Sequence, residues 1–306
     1  MADGLSRSAG LFCHAASLSP PCWAGARGLP CWASTRGLRD SKARGAACLE
    51  VLYQYDGSFA GFLCCVFEAV ARREQPFGVF AEDAAPATLF ESRRIPTDPQ
   101  RAGRVYASLR KKLSYRAEEL VRYGFLHAAP QKETALLQFL LFAYAAERRG
   151  LSACRMPGHE AVAPVLAMER QVTHEAHQLT GFIRFVQCGG VLGARISPKH
   201  DVLPLLRGHF CDRFPDEDFL IVDEPRRAAL WYPGRQGGRA RLLELAGEFC
   251  FPEPDPEEAA LQAMWKTFYK TISIRARENP RCRRNLCPKR YWENMLEMQD
   301  ALNGQG

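Results

Sequence analysis

From Leu49 onward the residues predict an α+β fold: a helical N-terminal half, then a small antiparallel sheet flanked by helices. Three observations carry this. Helical periodicity fills residues 59–73, 101–123, 132–149 and 160–180. β-rich runs crowd into residues 182–232 and turn on Gly189-Gly190 and on Glu224-Pro225. The helical pattern then returns at residues 257–274. With 47% hydrophobic and 25% charged residues over 306 positions, the composition excludes a mainly disordered or fibrous chain.

Taken in order, Val51 to Tyr55 alternates β-branched and aromatic residues and reads as a strand. Asp56-Gly57-Ser58 then makes a turn or helix cap before an apolar helix from Phe59 to Arg73. Residues 101–123 are amphipathic, and Arg110, Lys111 and Lys112 read as a solvated face. Lys132 to Arg149 is apolar almost all round and is closed by Gly150, which predicts a buried helix. Met156-Pro157-Gly158-His159 marks a break. The helix beyond it carries the stripe Ala161, Val165, Met168, Val172, Ala176 and Leu179, leaving Arg170, His174 and His177 on the opposite face and ending at Gly181. Strands at 182–188 and 191–196 follow as a hairpin. Asp201 is placed to cap a helix with Pro204 in its first turn, ending near Arg213. Two more strands, Phe219 to Asp223 and Ala228 to Tyr232, precede the last long helix and a short one near residues 288–298.

Residues 1–48 stand apart. They are rich in Ala, Gly, Ser, Pro and Arg, lack apolar periodicity, and repeat Pro-Cys-Trp-Ala at Pro21 and again at Pro30. Six basic residues against two acidic ones supply +4 of the net +7, and no apolar core suited to secretion is present. Three readings fit: a basic disordered arm for nucleic acid, a metal-binding tail using Cys13, Cys22 and Cys31, or upstream sequence translated from a misplaced start. The last is favoured by the abrupt onset of strand-like order at Leu49. The expected organisation is an extension over 1–48, one α+β domain over 49–298 with a break near 156–159, and a flexible tail over 299–306.

The longest apolar stretch, Ala135 to Ala146, is twelve residues, short of the roughly 20 that span a bilayer. The eight cysteines beyond residue 48 are scattered, which suits reduced thiols and a cytoplasmic protein. The sequence has no Gly-Lys-Ser/Thr phosphate loop, G-x-G-x-x-G, H-E-x-x-H or G-x-S-x-G, so it gives no support to P-loop, Rossmann, zincin or α/β-hydrolase chemistry. No cofactor and no metal site is expected.

Two constellations remain. Lys266 to Trp292 holds nine basic residues and one acid, Glu278, interleaved with Tyr269, Tyr291 and Trp292. Cations for phosphates beside rings for stacking are a nucleic-acid footprint, and the plainer reading is a basic surface helix whose rings belong to the core. The second is His174, Glu175, His177, His200, Asp201, His209 and Asp212. His174 and His177 lie one turn apart and would reach one metal or phosphate if the fold brought a third ligand. His209 falls on the Val202, Leu205, Leu206 stripe and reads as a core histidine.

From Glu175 onward a set of spaced motifs appears: Glu175-x-His177, Gly181-Phe182-x-Arg184-Phe185, Ala194-x-Ile196-x-Pro198, Asp201-Val202-Leu203 and His209-Phe210-x-x-Arg213-Phe214-Pro215. Leu261-x-x-Met264-Trp265-Lys266, Ile274-x-x-Arg277-x-Asn279-Pro280 and Pro288-Lys289-Arg290-Tyr291-Trp292 complete it. The pattern, running from about Val51 to Glu297, resembles the bacterial family of probable DNA metabolism proteins built on domain of unknown function 4130. That resemblance implies a radical-SAM partner of DNA repair or modification. Gln178, Cys282 and Cys287 depart from it, the first where a basic residue is expected and the others where apolar ones are.

On this reading Arg184, Arg213, Arg277 and Arg290 line a groove for single-stranded or damaged DNA, helped by Asn279, with Tyr291 and Trp292 as the stacking platform. The alternative for Arg213 and Arg277 is internal pairing with Asp223 or Glu175. Three functions follow: a DNA-binding accessory, an enzyme acting on DNA through Glu175, His177 and His174, or a protein-interaction module without DNA contact.

Overall fold

The computed structural model describes residues 51–84, 91–247 and 249–303; the expectations for residues 1–48 and 304–306 lie outside them. The described residues divide into two compact units, 51–121 with 129–163 and 122–128 with 164–303.

The described part of the first unit begins with β1 (Val51–Tyr55), α1 (Phe59–Arg72), β2 (Gly78–Ala81) and β3 (Glu91–Arg94). β1 lies between β2 and β3, parallel to both. Val51, Leu52, Tyr53 and Tyr55 are buried, the near-continuous apolar run of a strand covered on both faces. α1 starts on Ser58, whose hydroxyl accepts from the Gly61 amide at 2.9 Å. The Asp56 carboxylate accepts in turn from Ser58 and from Thr97. The helices are α2 (Pro99–Ser108), α3 (Tyr115–Phe125) and α4 (Lys132–Glu147). α4 buries Leu136, Leu137, Phe139 and Leu140.

Two expectations are corrected in this half. It is not helical throughout, because a parallel three-stranded sheet sits in it; β2 and β3 are four residues each, and β3, Glu-Ser-Arg-Arg, has no apolar alternation for the eye to find. The helix expected over 101–123 is broken by a π-helical turn at Leu109–Leu113, which carries the exposed Arg110, Lys111 and Lys112.

The second unit contains α5 (Ala163–Phe182), β4 (Val186–Cys188), β5 (Val191–Ile196), α6 (Leu203–Arg213), β6 (Asp218–Asp223), β7 (Ala228–Pro233), β8 (Arg241–Glu244), α7 (Glu258–Ile272), α8 (Pro280–Leu286) and α9 (Gln299–Asn303), with two 3-10 turns, Lys289–Asn294 and Leu296–Met298, between the last two helices. The five strands lie in chain order, β4-β5-β6-β7-β8. Gly189 and Gly190 both take positive φ, 58° and 78°, as a two-residue hairpin turn demands. The sheet is mixed and not purely antiparallel, since β5 and β6 run parallel with Ala194 opposite Ile221. α6 lies between them in sequence, and a helix-containing connection returns the chain to the end from which it left. β8 was not read from the sequence; its Arg-Leu-Leu-Glu is exposed at all four positions.

Ala176 and Leu179 of α5, Leu206 and Phe210 of α6, Phe219 and Ile221 of β6, and Tyr291 and Trp292 near the end of the chain share one core. Residues 299–303, expected as a flexible tail, form α9 with Ala301 against that core. Among the described residues no helix is long and apolar enough to cross a membrane.

Candidate functional site

The side chain that organises the second unit is Glu175. It lies on α5 beside the apolar stripe and is 3% exposed. Its Oε1 accepts from the Lys199 amide at 3.0 Å, from the Tyr291 hydroxyl at 2.6 Å and from the Arg290 guanidinium at 3.1 Å. Its Oε2 accepts from the His200 amide at 2.7 Å. One carboxylate thus ties the 197–202 loop after β5 to the 3-10 turn Lys289–Asn294. Arg290 also donates to the Tyr291 oxygen at 2.7 Å.

The same loop is gripped from its other side. Arg226, in the turn between β6 and β7, donates to the Pro198 and Lys199 carbonyls and to Asp223, which is wholly buried. The Ala128 amide donates to His200 Nδ1 at 3.2 Å, and the Asp201 amide to the Leu126 carbonyl at 3.0 Å. The His200 ring stacks on His127, centroids 4.3 Å apart. With the loop pinned in this way, Asp201 does not cap α6. The helix starts after Val202, with no side-chain cap.

Electrostatics follow from this packing. Burial alone pushes the Glu175 carboxyl up, but the Tyr291 hydroxyl and the Lys199 and His200 amides outweigh it and hold the group below the usual range. Burial pushes His200 down to about 4, helped by His127, Lys199 and Arg226 and opposed by Glu175. Burial raises Asp223 to about 6 against the pull of Arg226. At neutral pH the clamp therefore holds an ionised carboxylate and a neutral imidazole. Glu175 has spent its acceptor capacity on four donors and is shielded from solvent, which removes it as a proton-transfer candidate.

His174 and His177, the other two catalytic candidates, are exposed on the far face of α5, as the periodicity predicted, and do not converge with Glu175. Among the described residues no three of His, Cys, Asp and Glu gather in a way that would hold a metal ion. His209, expected in the core, is exposed on α6; among the described residues the buried histidines are His127 and His200.

The six expected nucleic-acid residues besides Arg290 separate into two sets. Arg184 donates to both oxygens of Glu297, nearest at 2.6 Å, and to the Gly181 carbonyl, with Trp265 donating to the same carboxylate. It is an internal tie. Asn279 is the N-cap of α8, its side chain accepting from the Cys282 amide at 2.9 Å. Tyr291 and Trp292 are each 3% exposed, so no base reaches their faces and the stacking platform is ruled out. Trp292 donates to the Cys287 carbonyl, and Arg283 and Lys289 lie near its ring at 5.7 and 5.9 Å. Cys287, where an apolar residue was expected, is buried against Met295. Arg213 and Arg277 are exposed. The internal pairs anticipated for them are made instead by Arg226 with Asp223 and by Arg290 with Glu175.

What is left for a ligand is a surface. Arg277, Arg281, Arg283, Arg284 and Lys289 are all exposed on α8 and its flanks, carried by a segment whose Tyr291 and Trp292 are buried in the core and whose Arg290 is tied to Glu175. Sequence reasoning found the basic run but missed the Asp223–Arg226 clamp and the Arg184–Glu297 pair. Their partners lie 113 positions apart in one case and were unremarkable singly in the other.

No curated protein and no solved structure matches the chain. The family model described as Domain of unknown function, DUF4130, matches residues 130–297. That span takes in α5, the pinned loop, the mixed sheet and the basic C-terminal segment, and covers more than half of the chain. The chain belongs to the DUF4130 family.

Proposed function

We propose that this chain is a DNA-binding accessory in DNA repair or modification, working with a radical-SAM partner, and that it holds nucleic acid on the surface formed by residues 277–289. The observation that carries the reading is the set of exposed cations there. Among the described residues Arg277 and Arg281 make no ion pair, and Glu278 is the sole acid between Lys266 and Trp292. Unpaired guanidinium groups on a rigidly anchored segment are suited to phosphate oxygens, which they meet in bidentate fashion. The contact reads backbone charge, since the Tyr291 and Trp292 rings are withdrawn into the core. The partner rests on the resemblance of the C-terminal motifs alone.

The test is fluorescence anisotropy of labelled single- and double-stranded DNA with the full chain across a salt series. A slope of log affinity against log salt near −3 or steeper is expected, about one unit per phosphate contact. Arg277→Ala with Arg281→Ala should lower the slope's magnitude by nearly two. An unchanged slope removes this surface, and absence of binding at low salt removes the function.

A further inference from the structure

We infer that the outer face of α7 is the contact through which two copies of this chain pair. α7 has one face committed to its own unit: Glu258 accepts from the Gln187 amide, Gln262 donates to Glu258, and Tyr269 packs on the core. The adjoining face is apolar and faces solvent. Leu261, Met264, Trp265, Phe268 and Ile272 are 53, 67, 38, 53 and 56% exposed, and at helical periodicity they fall within one arc of about 100°. A globular protein ordinarily turns such a stripe inward.

Three features select a second copy as the occupant. The stripe's own side chains carry no charge, Lys266 and Lys270 lying on the opposite side of the helix, and the Arg184 guanidinium 5.4 Å over the Trp265 ring is paired with Glu297, to which that indole also donates, so two copies meet without unpaired opposing cations. Its anchors are spaced four, three and four residues apart, Leu261, Trp265, Phe268 and Ile272, an interval pattern that reads the same in both directions. An antiparallel copy about a two-fold axis therefore lays Leu261 against Ile272 of the partner subunit and Trp265 against Phe268 of the partner subunit, a self-complementary contact of the isologous kind. Area supplies the third argument. With side chains of the order of 150–250 Å² each, these exposures amount to about 450 Å² per copy. Two copies bury at most about 900 Å² of this apolar surface, just under the roughly 1,000 Å² of a specific interface, which fits a weak dimer that dissociates on dilution.

This pairing stands whether or not the basic segment binds DNA. If it does bind, each dimer presents two such segments, and the second engages at raised local concentration. Sedimentation velocity on the full chain decides it. Wild type is expected at twice the chain mass at about 50 µM, dissociating on dilution. Phe268→Glu and, separately, Met264→Glu should weaken association at least 100-fold with unchanged circular dichroism, while Lys270→Glu on the far side stays dimeric. A monomeric wild type at that concentration overturns the inference, and so does a folded Phe268→Glu protein that remains a dimer.

Discussion

Glu175→Gln tests whether the buried carboxylate is a structural clamp. The substitution keeps size and shape but leaves one oxygen where there were two. The amide oxygen is best kept at the Oε1 position, where three donors converge, so its NH2 group faces the His200 amide across the 2.7 Å contact. That backbone N–H is then buried without an acceptor, a cost of about 1–3 kcal/mol. Losing the charge also weakens the short bond from Tyr291 and the contact with Arg290. The guanidinium is 46% exposed, so water replaces most of what it loses and its share is under about 1 kcal/mol. Together the loss is about 3 kcal/mol, a fall in midpoint of about 6–12 °C for a unit of this size.

The assay is urea unfolding followed by tryptophan fluorescence, to which Trp231, Trp265 and Trp292 of the second unit contribute. The sign with pH is fixed as well. A carboxyl held below its unfolded value adds stability above that value and loses it as pH falls through the folded one. The gap between wild type and variant should therefore close in acid. A variant within about 0.5 kcal/mol of wild type at pH 7 would refute the clamp and return Glu175 to the list of groups free for chemistry.

Two further outcomes follow from the same geometry. His200, pushed down to about 4, binds its proton more weakly folded than unfolded, so its contribution is present near pH 7 and is lost between about 6.5 and 4. His200→Gln should lose about 2 kcal/mol less stability than wild type between pH 7 and 4.5, the titration of Asp223 being common to both proteins; equal losses would show that folding leaves the proton affinity of the imidazole unchanged. In the first unit, a Cβ on Gly61 would stand within 3 Å of Asp56 Oδ1, Thr97 Oγ1 and the Tyr55 ring. Gly61→Ala should cost about 1–3 kcal/mol by forcing apart the turn that starts α1, and a thermal midpoint equal to wild type would count against the close approach.

How far the sequence spoke depended on the range of the interaction. Local signals were legible: Ser58 as a cap, Gly189-Gly190 as a hairpin turn, the stripe on α5, and the strands at 219–223 and 228–232. Each rests on residues within a few positions of one another. The parallel pairing of β5 with β6 was hidden because strand direction is set by where α6 returns the chain. β3 and β8 were hidden because their side chains face solvent and leave no alternation. Within the site, the residue types were found and their assignments were not. Arg290, Tyr291 and Trp292 stood out as a basic-aromatic run, but burial turns the two rings inward and leaves Arg290 bound to Glu175, 115 positions earlier. No spacing rule reaches that far.

The position of Tyr291 and Trp292 in the chain has a consequence for biosynthesis. Both rings belong to the core that α5, α6 and the sheet build around them, yet they are made more than 100 residues after the end of α5. The apolar faces of those earlier elements must wait, exposed, until residues 291 and 292 have been made, whereas the first unit closes at Ala163. A nascent chain stopped at Leu286 should thus carry a finished first unit and an open second one, and it is in this interval that the protein is most in need of a chaperone.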